Sequence, residues 1–298
     1  MHDPCPVCSG APSHRRRVDR AGDVAVCGEC GTWHRTPRPT AEDLIGIYNQ
    51  DYYDAWGLDE DESIASRTKE ATFAGTLRRL ERMVGQPDGR KPVLLDVGAA
   101  TGLLLAAAEK GGWDPYGVEL NPYSANVLRE RYGAERVFEG ELIACTFPDS
   151  HFDAVTMTDV IEHVLDMGGT LRTAARLLRP GGVLCITTPR VDTLSRRLMG
   201  RRWLHFKAEH IQYLSGRAVD QALRAAGFDD VRVRGHAKSL SLDYLHAQLQ
   251  TYPHWFLTPA VALIRRCLPM RLRRRPVRYR CGEMLVTARR VACPAEHL

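Results

Sequence analysis

Long apolar runs are missing from this 298-residue chain: 44% of its residues are hydrophobic, yet no stretch approaches the roughly 18 consecutive apolar residues that a membrane span requires. Its opening residues, MHDPCPVCSG, lack the apolar segment of a secretory signal, so the expectation is a soluble, cytoplasmic protein. Lysine is scarce too, five of the 41 basic residues, and the formal charge is only +5. Without lysine clusters, composition permits nucleic-acid binding but does not point to it. No internal repeat or low-complexity tract is present, which sets aside solenoids and disordered arrays. Nine cysteines in so long a chain do not make a secreted disulfide scaffold. Five of them, Cys145, Cys185, Cys267, Cys281 and Cys293, are scattered and read as reduced, small apolar residues.

The other four form two C-x-x-C pairs, Cys5/Cys8 and Cys27/Cys30, each on a tight turn with proline or glycine beside it. Their separation matches the C-x2-C-x15-20-C-x2-C spacing of a zinc site. Four thiolates close a tetrahedral shell and leave no position for water, so the expected Zn2+ is structural. His2, His14 and His34 are the substitutes should one cysteine not bind. Residues 1–40 are too few for a hydrophobic core of their own, and metal is the expected means of holding this ribbon together. A helical and aromatic linker or cap is expected over 41–90, with Leu44, Ile45 and Ile47 followed by YNQDYYDAWGLDEDE, and a helix from Ser66 to Val84 that carries Phe73, Leu77, Leu80, Met83 and Val84 on one face.

From residue 91 onward the pattern changes to alternating strands and helices. PVLLDV, DPYGVEL, RVF, FDAVTMT and VLCITTP read as strands, separated by LLLAAAEK, YSANVLRERY and GTLRTAARLL as helices. Such alternation predicts a mostly parallel sheet covered on both faces, with ligands bound at the carboxyl ends of the strands. The segments DDVRVRGH and EMLVTARR suggest a final pair of strands. Between them an insertion at about 239–269 carries Leu242, Leu245, Leu249, Trp255, Phe256, Val261 and Ile264 at the spacing of one or two amphipathic helices. A basic run, RRCLPMRLRRRPVRYR, follows and reads as a solvated face or as a site for a phosphate or carboxylate.

The most telling segment is Pro92 to Gly102, PVLLDVGAATG, an apolar strand that runs into a loop of small residues and then a helix. Small residues let backbone approach a ligand, the helix N-terminus favours an anionic group, and an acid about 20 residues on can accept both hydroxyls of a ribose. Glu119 stands where that acid is needed. The dinucleotide fingerprint G-x-G-x-x-G is not met, since Ala100 and Leu103 replace its second and third glycines, so an adenosine-ribose site is expected and a nicotinamide site is not.

At this point the sequence resembles the class I S-adenosylmethionine-dependent methyltransferases. Asp96, Gly98 and Gly102 match the first motif with alanine at the middle glycine, and FPDSHFDAVTMTDVIEHVLD, RLLRPGGVLCITTPR and LRAAGF follow in the family's order. The resemblance implies a Rossmann-like methyltransferase fold with an antiparallel C-terminal hairpin over 91–298, plus the small N-terminal zinc ribbon, and S-adenosylmethionine as cofactor. It places Gly98, Ala99 and Gly102 against the methionine part, Asp96 on its amino group, Glu119 on the ribose and Leu120 on the adenine face. Glu141 and Leu142 then take the adenine amine and ring edge, and Thr158 and Asp159 lie under the transferring methyl. His163 and His210, with Asp159, are the candidate catalytic residues; each histidine is also readable as a structural hydrogen-bonding group, and Asp159, Glu162 and His163 together as ligands of a divalent ion.

The implied activity is methyl transfer to a small-molecule acceptor at O, N or C, of natural-product or sugar-containing type. The aromatic residues Tyr48, Tyr52, Tyr53, Trp56, Trp203, Phe206, Tyr213, Trp255 and Phe256 point to a partly apolar, ring-bearing acceptor. Two alternatives stand beside it, an RNA base methyltransferase that uses the ribbon and the arginine run for phosphates, and a non-catalytic cofactor-binding regulator. Oligomeric state is left open.

Overall fold

The structure, a computed structural model, describes residues 3–40, 42–43, 64–85, 87, 89–251, 253–280 and 282–291. The readings of His2, of Leu44 to Trp56 and of Cys281 and Cys293 lie outside the described residues.

Pro12–Val18 (β1), Gly22–Cys27 (β2) and Trp33–Arg35 (β3) form an antiparallel meander. Helix α1 (Ile64–Val84) follows and buries Leu77 and Leu80, with Phe73, Met83 and Val84 packed beside them, which is the face its spacing predicts. Then come β4 (Val93–Val97), α2 (Leu103–Lys110), β5 (Asp114–Glu119), α3 (Pro122–Tyr132), β6 (Val137–Glu139), β7 (Phe152–Thr158), α4 (Met167–Leu177) and β8 (Leu178–Pro189). After a short helix α5 (Leu194–Met199) and β9 (Gln212–Tyr213), α6 (Gly216–Ala225) leads into β10 (Phe228–Gly235). The last strand, β13 (Glu283–Arg290), closes the main sheet, whose order is β10-β13-β8-β7-β4-β5-β6. Strands β4 to β8 run parallel, and β13 is antiparallel to both β8 and β10.

Period-two alternation divides the apolar residues between the two faces of this sheet. Leu94, Ala154 and Cys185 pack on one side against α1, α2 and α3 through Leu80, Leu105 and Leu128. Leu95, Val155 and Leu184 pack on the other against α4 and α6 through Leu171 and Leu223. Both faces are covered, so the central strands read as continuous apolar runs instead of alternating ones.

The insertion runs longer than its apolar spacing suggests. It opens with β11 (Lys238–Leu240), continues through α7 (Leu242–Thr251), α8 (Leu257–Cys267) and α9 (Met270–Arg273), and returns as β12 (Val277–Tyr279) paired to β11. The basic run is therefore part of a closed excursion. A proline before α9 and the β11–β12 ladder set its limits, features that a hydrophobic pattern does not report. Among the described residues no helix is long and apolar enough to cross a membrane.

The N-terminal module also differs from the expectation that it has no apolar core. β9 pairs with β3 and makes the small sheet four-stranded, in the order β1-β2-β3-β9. Val18, Val24, Val26 and Trp33 share a cluster with Val191, Trp203, Phe206 and Tyr213. The module is too small to bury its own apolar face, so it buries that face against residues 191–213. Trp203, Phe206 and Tyr213, read above as acceptor-side aromatics, are accordingly packed in this interface, each no more than 2% exposed.

Candidate functional site

The four cysteine sulfurs of the N-terminal module converge, with all of them within 4.8 Å of one another. Cys5 and Cys30 are 3.5 Å apart, as are Cys8 and Cys27. Sulfurs at about 2.3 Å from a common Zn2+ would be separated by about 3.8 Å, so the set fits a tetrahedral ion without a new fold. The Val7 amide donates to Cys5 Sγ at 3.5 Å, and Cys30 Sγ lies 3.1 Å from Thr32 Oγ1. The Cys5 neighbour and Thr32 pull the Cys30 thiol down to about 4 against its burial, while Cys5 is held up, first by its bond to Cys30 and then by burial. Of the substitute ligands, His14 Nδ1 is 2.9 Å from Ser13 Oγ and His34 Nδ1 is 3.3 Å from the Arg35 carbonyl, and neither belongs to the cluster.

At the carboxyl ends of the main sheet, β4 and β7 are neighbours whose chains leave in opposite directions, one toward β5 and the other toward β8. This switch point opens a crevice, and a cavity of about 1130 Å³ occupies it. The loop after β4 forms one wall. Gly98 has φ +72° and a Cβ there would come within 2.6 Å of the Val160 side chain; Gly102 has φ +87° and a Cβ there would meet Leu128 at 2.6 Å. Both positions combine a left-handed backbone with no room for a side chain, so glycine is needed at each. Ala100 accepts φ +47° between them.

Glu119 is 6% exposed and its carboxylate is fixed by backbone: Oε2 accepts the Ala100 amide at 2.7 Å and Oε1 the Asn121 amide at 2.8 Å. Burial pushes its carboxyl up, and the two amides oppose that shift. Each oxygen retains a lone pair for a further donor. Asp96, 3% exposed, accepts the Thr156 hydroxyl at 2.6 Å; burial, with Glu119 nearby, raises it to about 7. Ala99 is buried and Leu120 is 52% exposed, and both line the cavity. Glu141 is exposed at the start of a single 3-10 turn, and Leu142 after it is buried; both line the cavity.

Thr158 and Asp159 end β7 on the cavity floor. Asp159 Oδ2 accepts Lys238 Nζ at 2.6 Å, and the same ammonium lies 2.9 Å from Glu283 Oε1. Burial would push the Asp159 carboxyl up, but Lys238 outweighs it and holds the group below the usual carboxylate range. Asp159, of the suggested divalent-ion set, is not in the cluster whose ligand atoms converge. His210 takes its place: ligand atoms of Glu162, His163 and His210 lie within 4.8 Å of one another, and the two imidazoles meet edge to face with centroids 4.8 Å apart. His163 Nδ1 is 3.0 Å from the Glu209 carbonyl. Burial, then Lys207, pushes His163 down to about 4, and burial followed by His163 drives His210 well below the usual imidazole range. Both rings are therefore neutral at pH 7. Glu162 accepts the Thr188 hydroxyl at 2.9 Å, and burial followed by the Asp159 charge raises it to about 8.

Sequence reasoning missed Lys238, Glu283, Lys207 and Lys69, all of which line the cavity. Lys238 and Glu283 flank the insertion; Glu283 is brought opposite Pro189 at the carboxyl end of β8 by the antiparallel β13, and Lys238 follows β10, whose Gly235 pairs with Met284 of β13. The cavity's far wall is the insertion, through Leu245, Leu249 and Leu257. Trp255 and Phe256, expected beside an acceptor, point instead to solvent at 69% and 58% exposure.

Comparison with known proteins agrees with this architecture. Residues 67–233 match the family model described as a methyltransferase domain. Demethylmenaquinone methyltransferase of Tropheryma whipplei is 33% identical over 110 residues, 35% of this chain and 44% of that protein. A ubiquinone biosynthesis O-methyltransferase of a Bradyrhizobium species is 32% identical over 100 residues, 32% of this chain and 39% of that protein. The chain thus spans less than half the length of these curated relatives. Among solved structures, Burkholderia thailandensis 1,6-didemethyltoxoflavin-N1-methyltransferase, with its substrate and S-adenosylhomocysteine bound, superposes with a TM-score of 0.53 at 18% identity and covers 94% of this chain and 100% of its own; at that identity it shows a shared fold. With a family model spanning more than half of its length and the Rossmann-like sheet order in place, the chain belongs to the methyltransferase-domain family.

Proposed function

We propose that the protein transfers a methyl group from S-adenosylmethionine to a small, partly apolar, ring-bearing acceptor held in the cavity, and that Zn2+ bound by Cys5, Cys8, Cys27 and Cys30 keeps the N-terminal module folded against residues 191–213. The observation that carries the reading is Glu119, whose carboxylate is held by two backbone amides at the switch-point crevice, beside a loop that needs glycine at positions 98 and 102. Its free lone pairs suit a ribose diol. Asp96 suits the cofactor's ammonium, Leu120 the adenine face, and Glu141 with Leu142 the adenine edge.

The sulfonium supplies a methyl carbon that already carries a good leaving group. What remains for the protein is alignment, and well-oriented intramolecular analogues show that this alone can account for about 7–11 kcal/mol of barrier. Thr158 and Asp159 at the end of β7, the neutral His163 and His210, and the insertion's apolar wall surround the space where the acceptor atom would sit. The relatives named for demethylmenaquinone and ubiquinone biosynthesis support an acceptor built on a ring, as do Leu245, Leu249 and Leu257 on the far wall. A natural-product or sugar-containing acceptor fits the same space.

Calorimetry on desalted protein, with S-adenosylmethionine and separately with S-adenosylhomocysteine, tests the cofactor assignment; absence of heat with both would overturn it. Incubation with quinol, phenol and sugar acceptors, read by a mass gain of one methylene, tests the acceptor class.

A further inference from the structure

Outside the cavity, the insertion carries two features that methyl transfer does not use. From Tyr244 to Gly282 the sequence has eight arginines and no aspartate or glutamate. Arg265, Arg273 and Arg274 converge on Asp243, at 2.8, 3.7 and 3.9 Å. Arg266, Arg271, Arg275 and Arg278 have no carboxylate within ion-pair distance among the described residues.

The second feature is apolar. Helix α8 is anchored by Val261, 6% exposed, and by the adjoining Arg265 bond to Asp243, which together define the side facing the protein. At the α-helical period, Phe256, Leu263, Ile264 and Cys267 fall on a different stripe, about 100° wide. That stripe is open: Phe256 is 58%, Leu263 66% and Ile264 49% exposed, and Met270 and Leu272 continue it at 54% and 51%. Trp255 beside it is 69% exposed. Apolar surface left open in one place marks a contact site in a soluble protein.

We propose that this face of α8 and α9 seats the protein on an anionic lipid surface. Charge complementarity selects the occupant. A second copy related by a two-fold axis would set arginine against arginine. A nucleic acid would match the charge but would leave Leu263 and Ile264 without a partner. An anionic headgroup layer accommodates both, because arginines reach the phosphates while aliphatic side chains enter the acyl boundary and tryptophan takes the level between. The patch is tied to the body of the protein: Arg20 donates to the Pro253 carbonyl at 2.7 Å, and the Arg202 guanidinium lies 5.7 Å from the Trp255 ring centroid. No described helix is long and apolar enough to cross a bilayer.

Cosedimentation of the full-length, zinc-replete protein with extruded vesicles tests this, and it needs neither cofactor nor acceptor, so its result is independent of the catalytic reading. The protein should partition onto vesicles of equal phosphatidylglycerol and phosphatidylcholine and not onto phosphatidylcholine alone, and added sodium chloride should release it. The double variant Leu263→Glu/Ile264→Glu should lower the partition roughly tenfold or more, and Arg271→Glu/Arg275→Glu should lower it comparably. Circular dichroism establishes that each variant is folded. Absence of binding to anionic vesicles, equal binding to neutral ones, or full retention by both variants would overturn the proposal. So would a dimer in sedimentation velocity that Leu263→Glu/Ile264→Glu dissociates, or RNA retention that the arginine substitutions abolish while vesicle binding is missing.

Discussion

The Ser215 hydroxyl donates to the Cys30 carbonyl at 2.6 Å, joining residues 185 positions apart, and accepts the Ala218 amide at 3.0 Å. One side chain thus caps α6 and holds the second cysteine turn against the main domain. The same junction continues through the pairing of β3 with β9, which joins the module that carries the thiol cluster to the segment just after Glu209 and His210.

Ser215→Ala removes both bonds, and the expected loss is about 1–2 kcal/mol, the range for an N-cap deletion. Ser215→Asp separates the two roles, because a carboxylate can cap α6 but cannot donate to the Cys30 carbonyl. Aspartate should recover the cap's share of the stability, read by urea denaturation, while both variants surrender zinc to a chelating dye faster than the parent. Cys8→Ser should abolish stoichiometric zinc and loosen residues 191–213 in hydrogen exchange. Unchanged protection of that segment without metal would detach the module from the site.

Glu119→Gln replaces one carboxylate oxygen by an NH2 that must face either the Ala100 or the Asn121 amide, both now hydrogen-bonded to oxygen. One backbone donor is left unpaired and the side chain loses its charge, so affinity for S-adenosylhomocysteine should fall roughly tenfold or more. Isothermal titration measures it, and unaltered affinity would remove Glu119 from the cofactor site.

Asp96 sets a pH dependence. Its carboxyl, raised to about 7 by burial, holds a proton in the folded chain at a pH where an unfolded aspartate has lost it. Its contribution therefore favours the fold below neutrality and is lost as pH rises from the ordinary aspartate range through about 7. A ligand bearing an ammonium prefers the ionised form, so cofactor affinity and the accompanying thermal shift should increase between pH 6 and pH 8. Asp96→Asn should flatten the rise. A rise of equal size in the variant would assign the titration to another group.

Much of this was legible in the sequence, for reasons that differ by region. Strands β4, β7 and β8 are buried on both faces and declare themselves as apolar runs, and the bend after Val97 is written in residue size. The thiol cluster was legible because turn-bound C-x-x-C pairs impose their own geometry. What escaped depends on contacts distant in sequence. Trp203, Phe206 and Tyr213 have the composition of a pocket lining, but they are covered by β2 and β3, a docking that no local pattern encodes. The pairing of Asp159 with Lys238 escaped for the same reason, since the two lie 79 positions apart.

That partner, Lys238, lends itself to a direct test. Its ammonium is shared by Asp159 and Glu283 at 2.6 and 2.9 Å, on the cavity floor. Burial alone would lower the lysine, but the two carboxylates hold it well above its usual value, while Asp159 is held low. The sign follows from these directions. The Asp159 contribution is present above the ordinary aspartate range and fades only as pH falls through its depressed value, and the lysine contribution persists until pH exceeds its raised one. The pair therefore stabilises the protein across the whole physiological range. Lys238→Met leaves two carboxylates facing each other without a cation, and because Asp159 is partly solvent-accessible the expected loss is about 1–3 kcal/mol. The loss should grow with rising pH, because the two carboxylates repel only when both are charged. Adding Glu283→Gln to Lys238→Met removes one of the two charges and should restore part of the stability, whereas Glu283→Gln alone should destabilise. If the double variant is no more stable than Lys238→Met at pH 8, the carboxylates do not repel, and the ion pair is not what orders Asp159 in the cavity.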